Sequence, residues 1–257
     1  METIKQRLAA GKHVNIFVVT AMPNPALVEI AALQGGFHGV WIDQEHAAST
    51  QERIELMALA CRAAGLDSFV RLAPTDYAAV MRPFEAGVGG IMAAQIQSAA
   101  HAREVVAWAR FPPEGRRGVN TNNREGRYAL ADIATLLRDA NRDRWTALQI
   151  EVLPALRDVD EIAAIEGVDH LFVGPADLST ALGVPGEFLH PKVIEGMQKV
   201  ADAAKKHGKT WGILCRGAEH AEKARAMGCS LFALATEFAV VHAGFRAVKE
   251  TYRGFFE

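Results

Sequence analysis

Cysteine is scarce in this chain. Cys61, Cys215 and Cys229 are the three in 257 residues, an odd number with no metal-gripping spacing among them. That speaks against a disulfide scaffold and for a reducing, cytoplasmic setting. An excess of charge of either sign is also missing. The formal net charge of −2 gives no reason to expect nucleic acid or an anionic membrane as partner. No apolar run approaches the ~18 residues of a membrane span, and the first residues, "METIKQRLAAGKHVN", lack a secretory pattern and read as a short amphipathic helix. No linker-like composition interrupts the sequence.

What is present is an alternation. Short β-branched or apolar runs, candidate strands, fall at 14–20, 38–43, 68–72, 89–94, 146–151, 169–174, 210–215 and 230–235. Between them lie Ala-rich stretches with helical spacing. In one, "NPALVEIAALQGG", Asn24 is placed to cap, Pro25 occupies the first helical position and Gly35 stops the helix. In another, Ser49 and Glu52 have capping-box spacing. Strands alternating with helices at this interval imply parallel βαβ units. Eight such units predict a single-domain (β/α)8 TIM barrel over 1–257. A doubly wound open sheet is the alternative, but "TAMPNP" after the first strand is no G-x-G-x-x-G turn. One interval is long: about fifty residues separate the fourth and fifth strands, and its basic, turn-rich "FPPEGRRGVNTNNREGRY" (111–128) predicts a functional loop over the barrel or against a neighbouring subunit.

In a barrel of this kind the carboxyl ends of the strands carry chemistry. There the sequence places Asp43, Glu45 and His46 after strand two, and Arg71 near the end of strand three. Gln95 closes strand four, Gln149 and Glu151 end strand five, and Asp177 follows strand six. Each alone has a bland reading: Asp177 as a helix cap, Glu151 or Arg71 in a rim ion pair, His46 as a structural histidine. Together they are harder to explain, because buried charges are costly unless paired or bound to metal. Carboxylates on adjacent strands suit a hard cation such as Mg2+ or Mn2+. Arg71 offers a fixed donor fork for an oxyanion. His46, oriented by Asp43, offers a general acid/base dyad. This set suits proton abstraction beside a carbonyl.

At these residues the sequence resembles the HpcH/HpaI-type class II 2-oxo-acid aldolases of the phosphoenolpyruvate/pyruvate barrel superfamily. The matching stretches are "IDQEHA" (42–47), "VRLAP" (70–74), "FPPEGRRG" (111–118), "QIEVLPALRDVDEIAAIEGVDHLFVGPADLSTALG" (149–183) and "GILC" (212–215). The resemblance implies cleavage of a 4-hydroxy-2-oxo acid to pyruvate, or a hydroxypyruvate-like donor, and an aldehyde. Glu151 and Asp177 would be ligands of a divalent metal, Mg2+ or Mn2+ foremost, with Co2+ or Zn2+ as alternatives. The substrate would contact Arg71, Gln149, Leu214 and the stretch Gly174, Pro175, Ala176 and Asp177. His46 with Asp43 would transfer protons through a water, with Glu45 behind them. The family assembles as hexamers and exchanges its last helix. Here that helix is expected at about 239–257, with Phe245, Val248, Tyr252 and Phe256 on one face. It is placed either on its own barrel or in exchange with a neighbour. The chain departs from the family in having "AAS" after His46, Ala94 at the end of strand four, Glu237 after strand eight and no tryptophan in strand one.

Two other activities fit the same acids: a citramalyl- or malyl-thioester lyase, which needs a basic site for coenzyme A, and a non-catalytic 2-oxo-acid-binding barrel. A Schiff-base aldolase is disfavoured, because the lysines nearest to predicted strands, Lys12 and Lys209, precede theirs. Cys215 reads as a packing thiol, with no base evident beside it.

Overall fold

The computed structural model describes residues 1–47 and 49–256. Eight parallel strands close into one barrel in sequence order: β1 (Val14–Val19), β2 (Gly39–Asp43), β3 (Asp67–Leu72), β4 (Gly90–Ala93), β5 (Trp145–Ile150), β6 (His170–Val173), β7 (Thr210–Leu214) and β8 (Leu231–Thr236). Each falls within a residue or two of the segment expected from its apolar run. The helices before β5 are α1 (Ile4–Ala9), α2 (Pro25–Gln34), α3 (Gln51–Ala63), α4 (Tyr77–Glu85), α5 (Ala99–Ala109) and α6 (Ile133–Asp143). After it come α7 (Leu153–Arg157), α8 (Val159–Ala163), α9 (Pro175–Ala181), α10 (Pro191–Lys206), α11 (Ala218–Ala226) and α12 (Glu237–Thr251). None of these, among the described residues, is long and apolar enough to cross a membrane.

Local chemistry sets the helix ends. Asn24 Oδ1 accepts from Ala26 N at 2.9 Å, Pro25 opens α2, and Gly35 closes it at φ 72°, as its sequence indicates. The expected capping role of Ser49 is not observed. Thr50 caps α3, its hydroxyl accepting from Arg53 N at 3.3 Å, because the helix begins one residue later and Ser49 is buried.

Alternation along the strands builds two cores. Inward residues Ile16, Val18, Trp41, Phe69, Met92, Trp145, Phe172 and Leu231 fill the barrel. Outward residues such as Val40, Ile42, Val70, Leu148 and Leu171 pack against the helices. The inner filling is aromatic, and glycines make room for it. A Cβ on Gly90 would sit 2.5 Å from Trp145 Nε1, and one on Gly212 would sit 2.7 Å from His170 Nε2. α1 closes the amino-terminal mouth: Ile4 and Leu8 are buried, and Ile4 N donates to Asp67 Oδ2 at 2.7 Å. At the opposite mouth the strand ends carry polar residues, among them Asp43, Arg71 and Gln149.

The long segment after α5 does not cross that open mouth; it is stapled to the barrel's flank and its amino-terminal end. Arg110 is buried and bonds Asn141 O, Arg144 O, Gly167 O and the Asp169 carboxylate. Arg117 is buried between the rings of Phe84 and Phe111, 4.8 and 4.5 Å from their centroids, and pairs with Glu125. In this segment the "RRG" motif is a structural anchor.

His170 lies in the barrel wall, fully buried, with Nδ1 2.7 Å from Thr210 Oγ1. Burial pushes its pKa down to about 3, so the folded state holds it neutral. Between the unfolded value near 6.5 and that depressed value the unfolded chain binds the extra proton. Stability from this residue is therefore complete above pH ~6.5 and falls with pH below it, by about 1 kcal/mol per unit. Replacing His170 with Gln is expected to flatten the dependence of Tm on pH between pH 6.5 and 4, measured by thermal melts. Parallel melting curves for the two proteins would contradict it.

Candidate active site

The inward alternation that places Trp41, Phe69, Ala147 and Phe172 inside the barrel brings the residues two positions later to its open mouth. Those are Asp43, Arg71, Gln149 and Gly174, with Glu151 one step beyond Gln149. Asp43 and Arg71 are register partners on β2 and β3. Their side chains form a two-point pair, Nε to Oδ1 at 3.0 Å and Nη2 to Oδ2 at 2.6 Å. Arg71 Nη1 also lies 3.2 Å from Glu45 Oε2, and its guanidinium stacks over Trp41, 4.7 Å from the ring centroid.

This corrects the expected Asp43–His46 dyad. Both oxygens of Asp43 face Arg71, and Oδ1 also accepts from Glu45 N at 3.1 Å. His46 stands at the surface, its side chain 66 % exposed and its Nε2 3.9 Å from Glu45 Oε1. The reason is positional. Asp43 is the last, fully buried residue of its strand and meets the arginine directly across the ladder, whereas His46 lies on the segment that has already left it.

Glu151 is the other centre. It is 1 % exposed, and both its oxygens are held: Oε1 accepts from Gln95 N at 2.9 Å and from Gln95 Nε2 at 3.0 Å, while Oε2 accepts from Gln149 Nε2. Burial pushes its pKa up to about 7, helped by the charges of Asp177 and Glu45 and opposed by the Gln95 N–H and Arg71. Glu45 is also raised, by burial first, against the pull of Arg71 and His46. Asp177 lies exposed in the first turn of α9. Gly174 passes so close to Glu151 and Gln149 that a Cβ there would overlap both.

The mouth thus gathers four carboxylates, Asp43, Glu45, Glu151 and Asp177, against one arginine. Gln149 Oε1 is buried without a hydrogen-bond partner among the described residues, and Glu45 Oε2 is held there only by its ion pair with Arg71. No cluster of three or more His, Cys, Asp or Glu side chains in metal-binding arrangement occurs among the described residues. Two carboxylates suffice for Mg2+ or Mn2+, which complete their shells with water and substrate oxygens, so the donor set fits a hard divalent cation. A thiol nucleophile does not fit: burial pushes the Cys215 thiol up to about 11. Among the described residues no strand carries a lysine for a Schiff base. A cavity of about 630 Å3 lies between α3 and the 122–128 segment, and none of the mouth acids lines it.

Comparison with known proteins agrees with this chemistry. The HpcH/HpaI aldolase/citrate lyase family model matches residues 15–243. The chain belongs to this family. It is 30 % identical to the 5-keto-4-deoxy-D-glucarate aldolase of Shigella dysenteriae serotype 1 (strain Sd197), over 95 % of this chain and 94 % of that one. The HpcH/HpaI aldolase from Desulfitobacterium hafniense DCB-2 superposes with a TM-score of 0.89 at 32 % identity, over 97 % of this chain and 98 % of that one. The citrate synthase SbnG superposes with a TM-score of 0.88 at 26 % identity, covering 99 % and 98 %. As an HpcH/HpaI member the chain is a carbon–carbon lyase of the aldolase class, and the family's reaction is divalent-metal-dependent cleavage of hydroxy-oxo acids to pyruvate and an aldehyde.

Sequence reasoning placed Gln95 at this mouth but not its grip on Glu151, and it missed Trp41 beneath Arg71. The period-two step from Trp41 to Asp43 is a signal that could have found the tryptophan. Glu237, where the chain departs from the family pattern, ties the start of α12 to the end of β1. It is fully buried, and its Oε1 accepts from Thr20 N at 2.7 Å, Thr20 Oγ1 at 2.6 Å and Met22 N at 3.3 Å. Gly174→Ala is expected to lower stability by about 1–3 kcal/mol, because Glu151 and Gln149 must move. A denaturant melt checks this, and an unchanged midpoint would show that the two side chains have room to spare.

Proposed function

We propose that the chain cleaves a 4-hydroxy-2-oxo acid to pyruvate, or a hydroxypyruvate-like donor, and an aldehyde, with Mg2+ or Mn2+ as the cofactor. The observation that carries this reading is Glu151, a nearly inaccessible carboxylate set among other carboxylates with one guanidinium to balance them. Glu151 and Asp177 would hold the cation, which supplies the positive charge that steadies the enolate formed at C3 of the donor.

The remaining work falls to the chain's own residues. Arg71, fixed by Asp43 and Glu45, keeps unspent N–H groups on Nη1 and Nη2 for the keto oxygen of the substrate. Asp43 positions that guanidinium. His46, exposed to solvent beside Glu45, moves protons through a water between C3 of the donor and the aldehyde oxygen. The backbone of Gly174, Pro175, Ala176 and Asp177, at the start of α9, receives the substrate carboxylate, and Gln149 and Leu214 wall the donor pocket.

The reading includes a homo-oligomer, a hexamer by family resemblance, in a reducing cytoplasmic setting. Two surfaces support assembly. α12 leaves its apolar residues uncovered: Phe238, Val240, Phe245 and Val248 are all exposed, with Glu237 its one buried residue. A groove of about 420 Å3 runs along the outside of β1 and β8, lined in part by Cys229, Phe232 and Leu234. A second copy's α12 would supply what that groove lacks. The expected helix is shorter than 239–257: it ends at Thr251, and Tyr252 and Phe256 lie beyond it.

Removing metal with a chelator is expected to abolish pyruvate release, and Mg2+ or Mn2+ to restore it. Activity that survives complete metal removal would sink the proposal. Glu151→Gln should weaken metal binding more than the roughly 10–100-fold typical of outer partners, by calorimetric titration. Exchange of the pyruvate methyl protons into deuterated water, followed by NMR, separates catalysis from binding: His46→Ala should slow it, and a binding barrel would show none. Deleting the chain from residue 239 onward should reduce the assembly seen by light scattering.

A further inference from the structure

We infer that Gln95 is a positioning residue that leaves Glu151 one free lone pair, on Oε2, and thereby makes the site select small octahedral cations over large ones. The inference rests on the proposed role of Glu151 as a metal ligand.

A carboxylate offers about four lone-pair directions, two on each oxygen. On Glu151 three are taken. The backbone N–H and the side-chain amide of the same residue, Gln95, both end on Oε1, at 2.9 and 3.0 Å. The Gln149 amide ends on Oε2. A reversed Gln95 amide would set its oxygen against the carboxylate, so the donor assignment follows from charge. Oε1 is saturated, and one direction on Oε2 remains.

The backbone shows that this grip is imposed. Gln95 is at φ 52°, a left-handed conformation that disfavours a side-chain-bearing residue. It is held there by its two bonds to Glu151 and by Gln97 Nε2, which donates to Gln95 O at 2.8 Å. A turn that needed only the backbone would be satisfied by glycine. The glutamine adds one thing glycine lacks, the second donor on Oε1.

The consequence is a matter of denticity. Ca2+ takes six to eight oxygens, often with both oxygens of one carboxylate, whereas Mg2+ and Mn2+ favour six-coordination with one oxygen from each carboxylate. With Oε1 saturated, Glu151 has a single oxygen to give. Gln149 is the check from the other side: it leaves Oε2 one direction and does not touch Oε1.

The test is calorimetric titration of chelator-stripped protein with MgCl2, MnCl2 and CaCl2, for the parent, Gln95→Met and Gln95→Gly. Methionine keeps the length and the N–H but removes the amide. Glycine also relieves the positive φ, so it reports on the amide even where the methionine variant fails to fold. Both variants are expected to narrow the Mg2+-over-Ca2+ preference by about tenfold, through tighter Ca2+ binding, with thermal stability at or above the parent's for glycine. A preference unchanged in both variants overturns the inference while leaving the ligand assignment standing. Metal binding that persists in Glu151→Gln overturns the ligand assignment itself, and the inference with it.

Discussion

One guanidinium holds the open mouth of this barrel together. Arg71 answers Asp43 with two hydrogen bonds, meets Glu45 with its third nitrogen, and lies on the face of Trp41. Among the described residues it is the only strand residue with a permanent positive charge, and the carboxylates around it outnumber it. Everything else at the mouth follows from that imbalance. The acids nearest the arginine are partly neutralised by it. Glu151, farther round the ring, is raised in pKa by burial and by its acidic neighbours. A site built in this way has a standing affinity for positive charge and a fixed direction from which to offer hydrogen bonds to an oxyanion.

The fold was legible because both of its periods are written plainly. Runs such as "VNIFVV" and "HLFV" are short, apolar and evenly spaced, and the intervening helices carry their own punctuation at Asn24, Pro25 and Gly35. The mouth was legible at the level of which residues meet there, since Asp43, Arg71, Gln149 and Glu151 all end strands. Pairing was not. His46 lies three residues from Asp43 in sequence and looked like its partner, but a buried carboxylate at a strand end is answered across the ladder, by Arg71 in register. Nor could spacing show that Gln95 reaches Glu151, fifty-six residues away, because that contact depends on a left-handed turn that nothing in "MAAQIQ" announces.

The long basic segment teaches a related lesson. Its composition resembled that of a functional loop, yet Arg110 and Arg117 are consumed within the fold, one by carbonyl oxygens and Asp169, the other by two aromatic rings and Glu125. Charge in a sequence marks a need for partners and does not say whether those partners are internal. The same caution applies in reverse to α12, whose apolar residues stand in solvent although the pattern is that of a packed helix.

Glu237 joins the last helix to the segment that follows β1. Its carboxylate sits in the first turn of α12 and gathers the backbone of Thr20 and Met22, the segment that leads away from β1 at the open mouth. The barrel seam, the last helix and one lip of the mouth therefore share a single tether. Three hydrogen bonds, of 2.7, 2.6 and 3.3 Å, couple the start of α12 directly to that lip. In mechanical terms the helix is a lever whose fulcrum lies at the edge of the open mouth.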